Sequence, residues 1–286
     1  MFHDASPTGG RRTQLKYAVS GVRPPRLESP APAGDPDVLA LVETPYADVA
    51  DAHRRLATLN RVFESQRDRR AVFLTIYTQM TAAVAAGIRR RTFADPEWVS
   101  EYLLTFADLY RAAVYRYEAG RHESLPTAWR LAFDAAARGD SLVVQDAMLG
   151  VNAHINYDLA LTLERVGVGP NRRQKYADHH AVTDVIRTLV DEAQDSLVER
   201  DADGVARIDD SFGRADEWLT VLTIDECRDS AWRTAVALHS RFPPRRRLAR
   251  WLNAATSTGA ARLLLASRTS DRLHAAAADL ERADGG

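Results

Sequence analysis

From Pro36 onward, apolar residues recur three and four positions apart, the spacing of one face of an α-helix, and helix start and stop signals punctuate the pattern. Thr44-Pro45 places a capping hydroxyl before a proline at a first helical position, which predicts a helix toward Leu59. A second helix from about Asp68 carries Val72, Ile76, Met80 and Val84 on one stripe and ends near Gly87 or the Arg89, Arg90, Arg91 run. Asp95-Pro96-Glu97 repeats the start signal, and Trp98, Tyr102, Phe106, Leu109 and Tyr110 form a bulky inward face before Gly120. Pro126 opens a short helix bearing Trp129 and Phe133, and Ser141 caps a longer one that runs to Gly167. Further helices are expected from about Lys175 to Arg200 and from Asp216 to Ser240, with Trp218 and Trp232 inward. The polar Asp201 to Gly204 stretch separates those two, and a last helical stretch covers Leu248 to about Arg282 with Gly259 as a candidate break.

The first 34 residues are different. Proline and glycine interrupt them too often for a helix and apolar residues are too sparse for a core, so 1–34 is expected to be a flexible or extended arm. The fold class is therefore all-α, with residues 35–286 as one multi-helix bundle domain behind that arm. No convincing run of alternating strands, no sustained heptad and no internal repeat competes with this reading. The sequence also lacks GxGxxG, GxxxxGK[ST], HExxH and GxSxG, which removes the familiar nucleotide-binding and hydrolase signatures.

Composition narrows the function classes without choosing one. The 286 residues are 45% hydrophobic and 27% charged, as in a folded globular chain. Thirty-eight basic and thirty-nine acidic side chains give a net charge of −1, so no global field draws the chain to nucleic acid or to an anionic membrane. Cys227 is alone and excludes an internal disulfide or a thiolate cage. The first residues lack the apolar stretch of a signal peptide and no bilayer-length apolar run occurs, so the expected location is the cytoplasm.

Candidate chemistry lies between Leu149 and Arg165, where Asn152, His154, Asn156 and Asp158 alternate with apolar residues. The flanks fit a helix, on which His154 and Asp158 share one face and Asn152 and Asn156 another. Such groups are costly in an apolar helix unless paired or exposed. His180 and Asp184 repeat the spacing on the following helix. Two facing helices that each present an imidazole and a carboxylate can hold a divalent cation, zinc above all, with His154, Asp158, His180 and Asp184 as ligands. A bound water would then become a nucleophile. Asn152, Asn156, Tyr157, Asp108, His179, Tyr77 and Tyr110 are the candidates to contact a small-molecule substrate or support the ligands. The alternative is that the polar groups satisfy one another in the core, and that Asp184 with Asp191 and Asp195 forms a solvated face while His179 or Asp178 turns inward. Asp108, set between Phe106 and Leu109, needs a cation, an arginine or a metal.

The run MLGVNAHINYDL, together with FLTIYTQMT, FADPEW, FADLYRAA and DHHAVTDVI, resembles an uncharacterised all-helical bacterial and archaeal family of unknown function, over about Asp68 to Leu238. Leu149, Gly150, His154 and Asp158 also resemble, more faintly, the metal-binding helix of zinc-dependent phospholipase C and related single-strand nucleases. That likeness implies zinc-activated water acting on a phosphoester, with His154 and Asp158 on one ion and His180 and Asp184 on another. The chain departs from it in having Glu164 where a ligating histidine follows the aspartate. The leading expectation is a metal-dependent hydrolase. The others are a non-catalytic helical module that binds an apolar small molecule or a partner chain in a pocket lined by Tyr77, Phe106, Tyr110 and Trp129, and a metal-independent enzyme with His154 as acid or base.

Overall fold

The computed structural model describes residues 34–139, 141–200 and 224–266, the side chains of 189–200 excepted. All regular structure among them is helical, and the helices are α1 (Pro36–Val42), α2 (Val49–Ser65), α3 (Arg70–Arg89), α4 (Pro96–Glu118), α5 (Thr127–Arg138), α6 (Val143–Val151), α7 (Leu159–Val166), α8 (Arg172–Arg200), α9 (Ile224–Leu238) and α10 (Pro243–Ala266). The arm before Gly34, the Asp201 to Gly204 break, Trp218 and everything past Ala266 lie outside the described residues, as do the side chains of Asp191 and Asp195.

Local signals explain most boundaries. Asp95 caps α4 by accepting from the Trp98 amide at 3.0 Å, with Pro96 at the first helical position, and Gly120 follows its end at φ 66°. The helix expected at Thr44-Pro45 instead begins at Val49, because Asp48 accepts from the Asp51 amide at 2.8 Å and provides the cap. The Arg55 guanidinium meanwhile donates to the carbonyls of Leu41, Thr44 and Pro45, which fixes the preceding residues as a loop. Gly259 breaks nothing, since α10 runs through it with Thr258, Ala260 and Ala261 buried around it.

Two hydrophobic clusters organise the bundle. One gathers α1, α2, α5 and α6 with parts of α3 and α4, around Leu56, Phe63, Phe73, Tyr110 and Trp129. The other gathers α7, α8 and α9 with the remaining parts of α3 and α4, around Val84, Trp98, Tyr102, Leu159 and Trp232. At about 1.5–3 kcal/mol for each large apolar side chain buried, these clusters supply the driving force. Phe106 and Val151 pack against both. Among the described residues α3 alone is long and apolar enough to cross a membrane by composition, yet its Phe73, Leu74, Tyr77 and Val84 are buried against neighbouring helices. Between α6 and α7 the chain does not continue as an α-helix: Asn152–Asp158 is a π-helical segment in contact with α4, α5, α9 and α10.

Candidate active site around His154

The segment opens because backbone bonds there close five residues apart, as in the Leu159 amide to the His154 carbonyl. In such a widened turn, residues four apart stand one above the other. Asn156 Nδ2 donates to Asn152 Oδ1 at 3.0 Å, and His154 Nδ1 meets Asp158 Oδ2 at 3.0 Å. Asn152 Nδ2 in turn donates to the Ser257 carbonyl at 2.9 Å, tying the segment to α10. The Trp129 indole donates to the same Asp158 oxygen at 2.8 Å. That oxygen is therefore an acceptor for two donors, which places the imidazole proton on Nδ1 and leaves Nε2 with a lone pair.

Aromatic rings enclose the imidazole. Phe106 stacks on it at 3.6 Å between centroids, and Tyr77 meets it edge-on at 4.4 Å. Phe73, Trp129 and Tyr110 complete the shell at 5.8, 5.8 and 6.0 Å. His154 is 1% exposed, and burial lowers its pKa although Asp158 works in the opposite direction. Its Nε2 has no hydrogen-bond partner. Neither do the hydroxyls of Tyr46, Tyr77 and Tyr110, whose pKa values burial raises and whose charges would act on one another. Six buried side-chain polar atoms lack a partner among the described residues, and these four belong to one neighbourhood. Buried polar atoms are ordinarily paired, so this concentration marks a place built for something else.

Phe73, Tyr110 and Trp129 also wall a narrow cleft that reaches Arg69, Arg70 and Asp146 at its rim. Its volume is about 10 Å³, room for about one water. Gly150 lets Phe73 sit there, since a Cβ on it would lie 2.4 Å from Phe73 Cγ and 2.6 Å from Phe73 Cβ. Gly to Ala in a helix ordinarily gains up to about 1 kcal/mol. At Gly150 the expected outcome is the reverse, a loss of about 1–3 kcal/mol from overpacking, because the atoms struck are the root of the Phe73 side chain. Urea unfolding of Gly150→Ala checks it, and a stabilised variant would contradict the packing.

The second His–Asp pair does not join the first. Among the described side chains of α8 the buried positions are Asp178, His179, Val182, Thr183 and Ile186, which leaves His180 and Asp184 off that face. His180 Nε2 lies 3.3 Å from Asp229, and Asp184, 69% exposed in its side chain, pairs with Arg187 at 3.1 Å. Among the described residues no group of three or more His, Cys, Asp or Glu side chains gathers where a metal could be held. Of the four expected ligands only His154 and Asp158 meet; His180 and Asp184 each pair with another residue, and the four do not form one cage.

His179 and Asp178 are the inward residues of that helix. His179 Nε2 faces the Arg228 carbonyl at 3.2 Å, so Nε2 carries the proton and Nδ1 accepts from the Tyr102 hydroxyl at 3.2 Å. The Arg228 guanidinium donates to Thr183 Oγ1, the Tyr102 oxygen and the His179 carbonyl. Burial and the Arg228 charge hold the His179 pKa well below its ordinary value. Asp178 accepts from the amides of Ala94 and Asp95 at 2.7 and 2.8 Å and anchors the start of α4. Asp108 finds the arginine it needed, Arg111 at 2.5 Å. Asn152 and Asn156 are consumed by the bonds above, and Tyr157 offers its carbonyl to Asn253. Tyr77 and Tyr110 do belong to the site. Phe73 and Tyr46 belong to it too, and no sequence signal marked Tyr46, which sits in the loop that Arg55 fixes.

The pattern of one sequence family matches residues 49–267. The chain belongs to DUF5995, a family of unknown function. No curated protein and no solved structure matches it. The DUF5995 match covers every residue of the His154 neighbourhood except Tyr46.

Proposed function

We propose that this chain is a metal-independent acid–base enzyme in which His154 is the base toward a small, largely apolar carbonyl compound. The observation that carries the reading is the unpartnered Nε2 of a neutral imidazole whose Nδ1 is fixed on Asp158. An oriented base with a free lone pair, in a site from which water is largely excluded, is suited to taking a proton from carbon. In that step the C–H bond breaks, its electron pair moves toward the carbonyl as an enolate forms, and Nε2 holds the proton until it is returned. Tyr77 and Tyr110, protonated and unpartnered, are the donors available to the developing oxyanion. The cleft on the far side of Phe73, Tyr110 and Trp129 holds no more than about one water and is not lined by His154, so admission of substrate by that route requires Phe73 or Tyr110 to swing aside. The two-helix metal centre has no part in this reading, because its four side chains do not gather.

The test is proton exchange into small aliphatic and aromatic ketones and aldehydes in deuterated buffer, followed by NMR. Enzyme-dependent exchange should persist in a chelator and fall by about 10²–10⁴-fold in His154→Gln. Loss in the chelator, indifference to His154→Gln, or no exchange with any compound would reject the proposal. Saturable binding of a ketone without exchange would instead favour a non-catalytic binding chamber.

A further inference from the structure

The N-terminal third of α10 has no role in the His154 chamber. From Arg241 to Leu248 every residue is exposed, and Ala249 is the first that is buried. Among the described residues five large hydrophobic side chains are exposed, and four of them stand here: Phe242 at 63%, Leu248 at 56%, Trp251 at 52% and Leu252 at 38%. Scattered exposed apolar residues are ordinary, but a cluster within eleven residues marks an interaction surface.

Its charge has one sign. Arg250 pairs with Glu164 at 2.7 Å, whereas Arg241, Arg245, Arg246 and Arg247 have no carboxylate partner among the described residues. The first turn of α10 has no acidic residue, and positive charge there opposes the helix dipole, so stability of the helix does not account for the arginines. Pro243, Arg246, Arg247, Arg250 and Trp251 follow the i, i+3, i+4, i+7, i+8 spacing and line a shallow cavity of about 410 Å³. On the helix surface Trp251 falls between these arginines and the neighbouring leucines, Leu248 and Leu252.

We propose that this end of α10 docks on an anionic lipid bilayer. A bilayer interface accepts all three kinds of side chain at once: guanidinium on the anionic headgroups, the indole at the headgroup level, and Leu248, Leu252 and Phe242 at the acyl boundary. A nucleic acid would engage the arginines and offer stacking to Trp251 but leave the two leucines in water. A helix end that projects from the body also suits a broad surface, and the net charge of −1 conceals it because the balancing acids lie elsewhere.

The full chain is to be sedimented with vesicles of equal parts phosphatidylcholine and phosphatidylserine, and with vesicles of phosphatidylcholine alone. The mixed vesicles should bind it, added salt should release it, and the neutral vesicles should not bind. Each arginine near the surface contributes about fivefold, so Arg245→Ala/Arg246→Ala/Arg247→Ala together should weaken binding about a hundredfold. A blue shift of fluorescence on binding should be lost in Trp251→Phe. All four positions are exposed, so the variants should melt with the parent; salt release of the unaltered chain is a readout that no folding defect can mimic. Failure to bind mixed vesicles, equal binding to neutral ones, or a triple variant that binds like the parent would overturn the proposal. Arginine-dependent binding of a single-stranded oligonucleotide without vesicle binding would overturn it in favour of nucleic acid.

Discussion

Replacing Asp158 by alanine should lower the unfolding free energy by about 4 kcal/mol, since two buried donors lose their acceptor at about 1–3 kcal/mol each. Those donors are the Trp129 indole N–H and the His154 Nδ1–H, at 2.8 and 3.0 Å from one carboxylate oxygen. Trp129 and His154 are each 1% exposed, so water does not replace the acceptor without disrupting the aromatic shell. Against a total stability of about 5–15 kcal/mol, such a loss is a large part of what holds a domain folded. Trp129→Phe removes one donor and keeps most of the packing, and its cost should be nearer 1 kcal/mol. The double variant should then cost less than the sum of the singles, because the indole orphaned by Asp158→Ala is already gone. Urea unfolding near neutral pH measures all three. A loss below about 1 kcal/mol for Asp158→Ala would mean that the donors find water, and that the chamber is not dry.

The sequence and the structure agree where a local signal has one physical meaning. Asp95-Pro96 can only cap and start a helix, and α4 begins there. Spacing by four carries less information than that. It places His154 with Asp158 and His180 with Asp184 on one side of their helices, but it does not say which side faces inward. That is decided by the whole apolar stripe. Asp178, His179, Val182, Thr183 and Ile186 are the buried set among the described side chains of α8, and they turn His180 and Asp184 away. The π-helical segment was visible only as an oddity, polar residues at every second position in a helical context. Its widened turn is a property of backbone bonds that no residue type dictates. Thr44-Pro45 failed as a start signal for another reason: Asp48 competes for the cap, and Arg55, eleven residues beyond Thr44, captures that residue's carbonyl. The enclosure of His154 depends on rings from α3, α4 and α5 meeting around it, which is a tertiary fact.

Acid should unfold this protein earlier than its carboxylates alone would, and the two buried histidines set the sign. Burial lowers the pKa of His154, partly opposed by Asp158, and burial with the Arg228 charge lowers that of His179 further. Both start from an ordinary value of 6.5 in the unfolded chain. Above that value neither state binds the protons and stability is flat with respect to them. As pH falls below it, the unfolded chain takes up protons that the folded chain refuses, so unfolding is favoured by up to about 1.4 kcal/mol per pH unit for each histidine. Two histidines together give a slope of up to about 2.7 kcal/mol per unit, until each folded-state pKa is reached. His179 should keep contributing to lower pH than His154, because the Arg228 charge adds to burial there and together they outweigh the hydrogen bond to the Arg228 carbonyl, whereas at His154 Asp158 opposes burial. Urea midpoints from about pH 7 to 5 measure the slope, and His154→Gln and His179→Gln should each remove about half of it whatever they cost at neutral pH. A parent protein equally stable across that range would show that the folded state accepts both protons, which an enclosed imidazole between Phe106 and Tyr77 cannot do cheaply. The same shift governs the proposed chemistry. A base whose pKa is lowered stays unprotonated at pH values where a solvent-exposed histidine is already charged, so the acid limb of activity should lie below 6.5 and follow the folded pKa of His154.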